Sequence, residues 1–356
     1  MNSSSAFDGM TVDHIEFYVT DLPGRVDTFT TGFGLSVYAA SAEGTGTHSV
    51  ALGGGDIRLL LTRAIEDDHP AAAFTQKHGE GVADIALRVP DAAAAYAEAV
   101  ARGARPVAEP DSCDGIVRAS ITGFSDVRHT FVQRPAGLDE RTLPGLRPTA
   151  PAGPAATGLE SVDHFAVCLE AGQIAPAVDY YRTVLGFAEI FTERVVVGAQ
   201  AMNSRVVQSA SGAVTLTLLE PDVSCEPGQI DGFLKKHDGA GVQHVAFATG
   251  DIVGSVGAMA AAGVEFLSTP DAYYGLLSGL LDRSRHTVDE LRGLGVLVDE
   301  DHDGQLFQIF TRSTHPRGTV FMEVIERQGA RTFGSGNIKA LYEAVELQRR
   351  DDEGAR

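Results

Sequence analysis

The chain contains an internal repeat, and this repeat is the feature that most restricts its fold. The segment VDHIEFYVTDLPGRVDTFTTGFGL (12–35) returns as VDHFAVCLEAGQIAPAVDYYRTVLGF (162–187), and GEGVADIALRVPDAAAAYAEAVARGARPV (79–107) returns as GAGVQHVAFATGDIVGSVGAMAAAGVEFL (239–267). Each segment begins with the alternating apolar residues of a strand and continues into a helix that ends near a glycine. A sequence written twice in this way predicts two α+β domains with curved, mostly antiparallel sheets.

The boundary between the two domains is predicted from a change in composition. The stretch RPAGLDERTLPGLRPTAPAGPAATG (134–158) is rich in proline and glycine, which is typical of a linker and not of a helix or strand. We therefore predict an N-terminal domain over 1–133, a linker over 134–158 and a C-terminal domain over 159–356. A chain of 356 residues is long enough for two such domains, each with a core.

Composition excludes several classes of protein. The 28 Lys and Arg residues against 48 Asp and Glu residues give a net charge of −20, which would repel a nucleic-acid backbone. No apolar run approaches the length of a membrane span, and the N-terminal MNSSSAFDGM lacks the basic and apolar regions of a signal peptide. The three cysteines are far apart and form no CxxC pair, so we expect reduced thiols in a cytoplasmic protein.

Two histidines and one glutamate are candidates for a metal site. His164 and His244 lie at the centres of predicted strands, on faces that otherwise carry small apolar residues, and Glu323 lies on the apolar face of TVFMEVIER. An ionised carboxylate on such a face is costly unless it is paired or bound to a cation. Two imidazoles and one carboxylate form the facial triad that leaves positions open on Fe(II) in oxygenases.

The first half of the chain offers an internal comparison. His14 matches His164, but Asp84 stands where His244 stands, and Thr130 lies near the position of Glu323. A strand histidine is in general more often a hydrogen-bonded core residue than a ligand, and that alternative stays open for each ring. With its ligand set incomplete, the N-terminal domain is predicted to be structural and His14 to be a core histidine.

Six stretches of the C-terminal half carry a resemblance to a known family: VDHFAV, GAGVQHVAF, GVEFLSTPDAYY, GQLFQIFT, VFMEVIERQG and TFGSGNIKALYEAVE. With them, this half resembles the 4-hydroxyphenylpyruvate dioxygenase family of the vicinal oxygen chelate superfamily. The resemblance implies two tandem domains of βαβββ repeats that form open barrels, with a C-terminal helix as a lid. It also implies one Fe(II) per chain, held by His164, His244 and Glu323, and O₂ and an aryl pyruvate as the two substrates. Whether the chain forms a homodimer stays open.

The family has two branches, and one stretch of this chain separates them. Where the ring-hydroxylating branch, which makes homogentisate, has Pro-x-Asn-Glu-Pro, this chain has Thr217 and Leu219 before the retained Glu220 and Pro221. Ile338 likewise replaces a phenylalanine that is common in that branch. The resemblance therefore favours benzylic hydroxylation of 4-hydroxyphenylpyruvate to (S)-4-hydroxymandelate and CO₂, as in supply of hydroxyphenylglycine for peptide antibiotics, with drift among cavity residues as the alternative.

Other cavity residues are expected from the same resemblance. Ser204 matches a serine near the keto acid, Gln308 a cavity glutamine that hydrogen-bonds the substrate, and Phe310 shares the face of Gln308. Ordinary strand packing is the alternative for each. Phe333 is expected against the substrate ring and Tyr342 near the entrance, in a tail whose apolar residues recur at helical spacing.

Two other functions stay open at this point. The same fold serves in binding proteins that sequester drugs without chemistry, and such a protein would need none of the three ligands. Ring cleavage of catechols is a third function of tandem members, although those enzymes lack the TFGSGNIKALYEAVE stretch.

Overall fold

The computed structural model describes residues 5–42, 46–149, 155–275, 277 and 285–331. Two curled sheets, one from each half of the chain, form open half-barrels with helices packed on them. This confirms the predicted α+β class and the two tandem vicinal-oxygen-chelate units.

The described residues of the N-terminal half form one sheet of nine strands. The strands are β1 (Thr11–Tyr18), β2 (Ser36–Ser41), β3 (Thr47–Gly54), β4 (Ile57–Ala64), β5 (Gly81–Arg88), β6 (Pro106–Cys113), β7 (Ile116–Phe124), β8 (Val127–Gln133) and β9 (Leu146–Pro148). Their order is β6-β7-β8-β5-β1-β4-β3-β2-β9, in which β1 pairs in parallel with β4, and β5 with β8. The described helices of this half are α1 (Leu22–Asp27), followed by a π-helical turn (Thr28–Gly32), α2 (Pro70–His78) and α3 (Ala92–Ala101).

The C-terminal sheet, within the part of the chain that the structure describes, has eight strands. They are β10 (Leu159–Cys168), β11 (Ala188–Val197), β12 (Gln200–Gln208), β13 (Thr215–Pro221), β14 (Gly241–Thr249), β15 (Leu297–Glu300), β16 (Gln305–Phe310) and β17 (Phe321–Gln328). Their order is β11-β12-β13-β10-β14-β17-β16-β15. The described helices of this half are α4 (Ile174–Val184), α5 (Gln229–His237), α6 (Ile252–Ala261), α7 (Asp271–Tyr274) and α8 (Val288–Leu294).

The two sheets are built on one plan. Taken from its β15 edge, the C-terminal order repeats the N-terminal order, with β10 equivalent to β1, β14 to β5 and β17 to β8. The predicted Ala-rich helices are confirmed as α3 and α6. Each is N-capped by an aspartate, Asp91 or Asp251, and each is followed by a glycine with positive φ, Gly103 or Gly263.

The halves pack against each other instead of standing apart. The largest apolar cluster contains buried residues of both, and Phe33 meets Phe247 edge-on at a centroid distance of 6.1 Å. Buried His129 of the first half hydrogen-bonds the hydroxyl of Tyr181 in the second at 2.8 Å. The N-terminal half therefore supports the sheet of the C-terminal half directly.

The predicted linker contains one regular element that the sequence did not indicate. Leu146–Pro148 forms β9, which pairs with β2 and extends the N-terminal sheet by one short edge strand. Backbone pairing with an exposed strand edge needs no apolar pattern, so a proline-rich segment can form it. The cysteines are free thiols, as expected, and among the described residues no helix is long and apolar enough to cross a membrane.

Candidate metal centre

Strand register brings the three candidate ligands together. β10 and β17 flank β14, and Ala246 of β14 lies opposite His164 on one side and opposite Glu323 on the other. His244 lies two residues before Ala246, so its side chain shares that face of the sheet. The three candidate ligands therefore extend from one face of the sheet, around the small Ala246.

The three side chains converge on one point. Their ligand atoms lie within 4.8 Å of one another, with Glu323 Oε2 at 3.4 Å from His164 Nε2 and 3.2 Å from His244 Nε2. All three residues are buried. Ligands at 90° around a metal, with bonds of about 2.1 Å, lie about 3.0 Å apart. The donor set, its spacing and its burial therefore fit a divalent metal ion bound by two nitrogens and one oxygen.

The electrostatics of the cluster suit cation binding. Burial favours a raised pKa for Glu323, but the two imidazoles outweigh it and hold the pKa of this carboxyl below its usual range. Burial lowers the pKa of His244, which keeps its ring neutral. Burial also opposes charge on His164, but Glu323 and Asp163 outweigh it and raise its pKa to about 9. A metal would replace the proton on His164, since a ligand must give up its proton to bind.

A second carboxylate orients the ring of the candidate ligand His164. Nδ1 of His164 donates to Asp163 Oδ1 at 2.8 Å, and Arg327 holds both oxygens of Asp163 at 2.8 and 2.9 Å. The register of β10 against β14 shifts between Val162 and His164, so Asp163 is the extra residue of a β-bulge and turns toward the ring beside it. The hydrogen bond leaves Nε2 of His164 directed at the cluster, which is the arrangement found in carboxylate–histidine–metal sites.

A pocket adjoins the three candidate ligands. Apolar and amide side chains share its walls, which suits a ligand with an aromatic body and polar ends. Besides the ligands it is lined by Met202, Thr217, Leu219, Gln229, Gln243, Gln308 and Phe310.

All but one of the predicted cavity residues that the structure describes line this pocket. Thr217, Leu219, Gln308 and Phe310 are lining residues. Ser204 is buried on β12 opposite Leu219 and is not among them. The predicted contacts Phe333, Ile338 and Tyr342, and the predicted C-terminal lid helix, lie outside the described residues.

Sequence reasoning missed several residues of the site. Asp163 carried a signal, because the triplet Val-Asp-His occurs at the start of both repeats. Gln243 carried no such signal, because strict alternation would turn it away from the face of His244. A further register shift, which falls in β14, lets both side chains face the pocket. Met202 and Gln229 reach the pocket from β12 and from the start of α5.

Both halves match known family models. Residues 10–140 match the model described as "Hydroxyphenylpyruvate dioxygenase, HPPD, N-terminal". Residues 161–309 match the Glyoxalase/Bleomycin resistance protein/Dioxygenase superfamily.

Whole-length relatives decide the family. The 4-hydroxyphenylpyruvate dioxygenase of Yarrowia lipolytica is 30% identical over 98% of this chain and 93% of its own length. That of Dictyostelium discoideum is 31% identical over 94% of this chain and 97% of its own length. The chain belongs to the 4-hydroxyphenylpyruvate dioxygenase family. It is accordingly a non-haem iron dioxygenase.

A solved structure of the family has the same fold. A triple mutant of 4-hydroxymandelate synthase from Streptomyces coelicolor superposes with a TM-score of 0.86, at 39% identity, over 95% of this chain and 98% of its own. The vicinal-oxygen-chelate architecture of this dioxygenase therefore extends over both halves.

The N-terminal half of the dioxygenase fills the equivalent position with an ion-pair network. Nε of Arg128 donates to Asp84 at 2.7 Å and Nη2 donates to Glu16 at 2.5 Å, while the backbone N–H of Thr130 donates to Asp84 at 3.1 Å. Nδ1 of buried His14 hydrogen-bonds the neighbouring aspartate at 2.7 Å. Asp84, the equivalent of His244, is thus paired with a guanidinium and not with other metal-ligand side chains.

Two further groups of metal-ligand residue types occur within the described ranges, and neither resembles the triad. Glu326 accepts hydrogen bonds from His286 Nε2 and from the backbone N–H of Ile252, both at 2.8 Å, so it caps the start of α6 beside Asp251. The group Asp301, His302 and Asp303 lies in a largely exposed loop.

Proposed function

We propose that His164, His244 and Glu323 bind one Fe(II) per chain and that the chain converts 4-hydroxyphenylpyruvate and O₂ to (S)-4-hydroxymandelate and CO₂. The convergence of two buried imidazoles and one buried carboxylate beside a lined pocket carries the metal part of this proposal. The proposed product, 4-hydroxymandelate and not homogentisate, rests on the side chains of Thr217 and Leu219 in that pocket.

The charges of the site suit a keto acid. When bound, Fe(II) supplies coordination positions for the keto acid and the site of O₂ activation. The charges of one divalent cation, the Glu323 carboxylate and one substrate carboxylate sum to zero, so the buried complex carries no net charge. Asp163 keeps the Nδ1 proton of His164 in place, which makes Nε2 the nitrogen that would bind the metal.

The pocket walls suit an aromatic ring with a phenolic hydroxyl. Leu219, Met202 and Phe310 provide apolar surface for the ring, and Phe310 offers an aromatic face or edge. Gln308 and Gln243 bring amide groups that donate and accept hydrogen bonds. We assign Gln308 to substrate binding and Phe310 to packing of the ring, and Ser204 keeps its predicted role near the keto acid.

Benzylic hydroxylation is favoured by the wall at Leu219. The ring-hydroxylating branch has an asparagine here, which can hydrogen-bond the substrate; a leucine cannot. Thr217 Oγ1 is buried and has no hydrogen-bond partner among the described residues, so it offers a polar contact beside an apolar one. The ring carbon and the benzylic carbon are neighbours, and a displacement of about 1 Å is enough to change rates by about 100-fold.

Homogentisate formation is the second candidate. It is favoured by the names of the curated relatives, which are 4-hydroxyphenylpyruvate dioxygenases at about 30% identity. Homogentisate and 4-hydroxymandelate are isomers, so both reactions consume one O₂ and release one CO₂.

Product analysis separates the two. Apo-protein is loaded with Fe(II) without oxygen, mixed with 4-hydroxyphenylpyruvate and exposed to air, and the products are separated by chiral chromatography against authentic standards, because their masses are equal. We expect (S)-4-hydroxymandelate as the main product. Homogentisate as the main product would overturn the proposed branch, and absence of O₂ uptake would overturn the proposed substrate. Glu323→Ala serves as the control, with neither iron nor turnover expected.

We also propose a division of roles along the chain: residues 1–133 form a structural domain, 134–158 a linker, and 159–356 the domain that carries out catalysis. The Arg128 network supports the structural assignment of the first half, since it leaves no open donor set there among the described residues.

A further inference from the structure

The two histidines of the metal centre are held in different ways. Nδ1 of His164 donates to Asp163, which is itself fixed by Arg327. Nδ1 of His244 is buried and has no hydrogen-bond partner in the described part of the chain. The His244 ring therefore lacks the outer hydrogen bond that fixes the rotation of the His164 ring, and the χ2 torsion of histidine is intrinsically broad.

Aromatic packing surrounds the His244 ring instead. Phe321 stacks on it with ring centroids 5.1 Å apart and planes inclined by 29°. Phe310 meets it edge-on at 5.6 Å and 71°, and the two phenylalanines contact each other at 6.1 Å. Phe321 is also the direct cross-strand neighbour of His244 in the parallel β14–β17 pair, so backbone hydrogen bonds fix their separation.

We propose that Phe321 is a positioning residue that sets the ring orientation of His244 and so directs its Nε2 at the metal. This inference rests on the metal site proposed above. The Phe321 ring covers one face of the imidazole, and rotation of the imidazole about χ2 would bring it edge-first into that ring. Nε2 therefore stays within 3.2 Å of Glu323 Oε2 without help from a hydrogen bond at Nδ1.

Phe310 and Phe321 divide two tasks between them. Phe310 lines the pocket that also contains the three ligands. Phe321 lines a separate cavity of about 430 Å³ between the two halves, together with residues such as Phe33 and Arg312. A change at Phe321 is therefore expected to act on the metal through His244, whereas a change at Phe310 also alters the wall met by substrate.

Metal binding by the intact chain tests the proposal without turnover. Apo-protein is titrated with Co(II), and its affinity is measured by competition with a chelator while the ligand-field absorption bands report the ligand geometry. Phe321→Leu is expected to lower the affinity about tenfold and to shift the bands, since loss of outer contacts to a ligand costs 10–100-fold. Phe321→Tyr keeps the stacked ring and is expected to restore both properties.

A matched control separates positioning from stability. Phe307 is a fully buried phenylalanine on the neighbouring β16 that contacts His286 and no ligand of the triad. Phe307→Leu is expected to lower the unfolding midpoint and to leave Co(II) affinity and bands unchanged. Phe321→Met, which keeps the volume without a ring, replaces Phe321→Leu if that variant does not fold.

The outcomes distinguish this inference from the metal site itself. A folded Phe321→Leu or Phe321→Met chain that binds Co(II) with wild-type affinity and bands overturns the positioning role alone. A wild-type chain that binds no Co(II) at 1:1 overturns the metal site, and this inference with it.

Discussion

Arg128 occupies in the N-terminal sheet the position that Phe321 occupies in the C-terminal sheet. Arg128 pairs in register with Asp84, and Phe321 pairs in register with His244, which is the equivalent of Asp84. In one half the side chain at this position neutralises two carboxylates, and in the other it stacks on the ring of the proposed metal ligand His244. One duplicated scaffold thus supports a closed ionic core in the first half and an open donor set in the second.

Removal of the Arg128 guanidinium is expected to destabilise the chain without affecting the metal centre. Arg128→Met would leave the buried carboxylates of Glu16 and Asp84 without their cation. Breaking a buried pair costs about 3 kcal/mol or more, which urea unfolding measures. Arg194→Met removes a more exposed ion pair to Asp222 and is the control, with a much smaller loss of stability expected because solvent screens this pair. Equal losses in the two variants would contradict a structural role for the network.

Asp163→Asn is expected to weaken metal binding. The amide keeps the size of the side chain but removes the charge that both His164 and Arg327 contact. Carboxylate partners of metal-binding histidines typically contribute 10–100-fold to affinity, and we expect a loss in that range in a chelator competition.

The repeat provides the matched control for that variant. Asp13 accepts from His14 at 2.7 Å and from Arg134 at 2.6 and 2.8 Å, the same contacts in the other half. Asp13→Asn should cost similar stability and leave metal affinity unchanged. A loss of metal affinity in both variants would mean that the effect is one of folding and not of ligand orientation.

The sequence was sufficient to predict the residues that obey strand alternation. His164, His244 and Glu323 each share a face with small or apolar neighbours, and the duplicated pattern identifies equivalent strands. The register of β5 with β8 also bears out Thr130 as the counterpart of Glu323: Asp84 pairs with Arg128 and Leu87 with Phe131, which sets Ala86 opposite Thr130. Hydrophobic periodicity and the internal repeat are therefore enough to predict the fold and the three candidate metal ligands.

Residues at β-bulges were beyond that reasoning. Asp163 and Gln243 each precede a ligand, and alternation assigns both to the opposite face. The register shifts that turn them toward the site depend on the pairing of β10 with β14, which leaves no mark in a single strand. The Arg128 network was missed for another reason, because its three charged residues come from three strands and look like ordinary surface charges in sequence.

Restoring the residues of the ring-hydroxylating branch is expected to change the product. Leu219→Asn together with Thr217→Pro reintroduces an amide and removes a hydroxyl in the pocket wall. We expect the double variant to form homogentisate in addition to 4-hydroxymandelate. Chromatography of the products of each reaction measures the ratio of the two. Thr62→Asn, at the position equivalent to Leu219 in the other sheet, should leave the product unchanged. An active double variant that forms only the wild-type product would show that these two positions do not determine which carbon is hydroxylated.

Acid is expected to loosen the contact between α2 and α5. The rings of His78 and His237, the last residues of these helices, stack at 4.3 Å, and burial together with the charge of His78 lowers the pKa of His237 to about 4. An unfolded histidine titrates near 6.5, so the unfolded chain binds more protons between pH 6.5 and 4, and stability falls as pH falls through that window, by about 3 kcal/mol at most. Urea midpoints at several pH values should therefore vary less in His237→Phe than in the wild type, whereas His302→Gln, at an exposed histidine, should reproduce the wild-type profile. An unaltered profile in His237→Phe would assign the acid sensitivity to other groups.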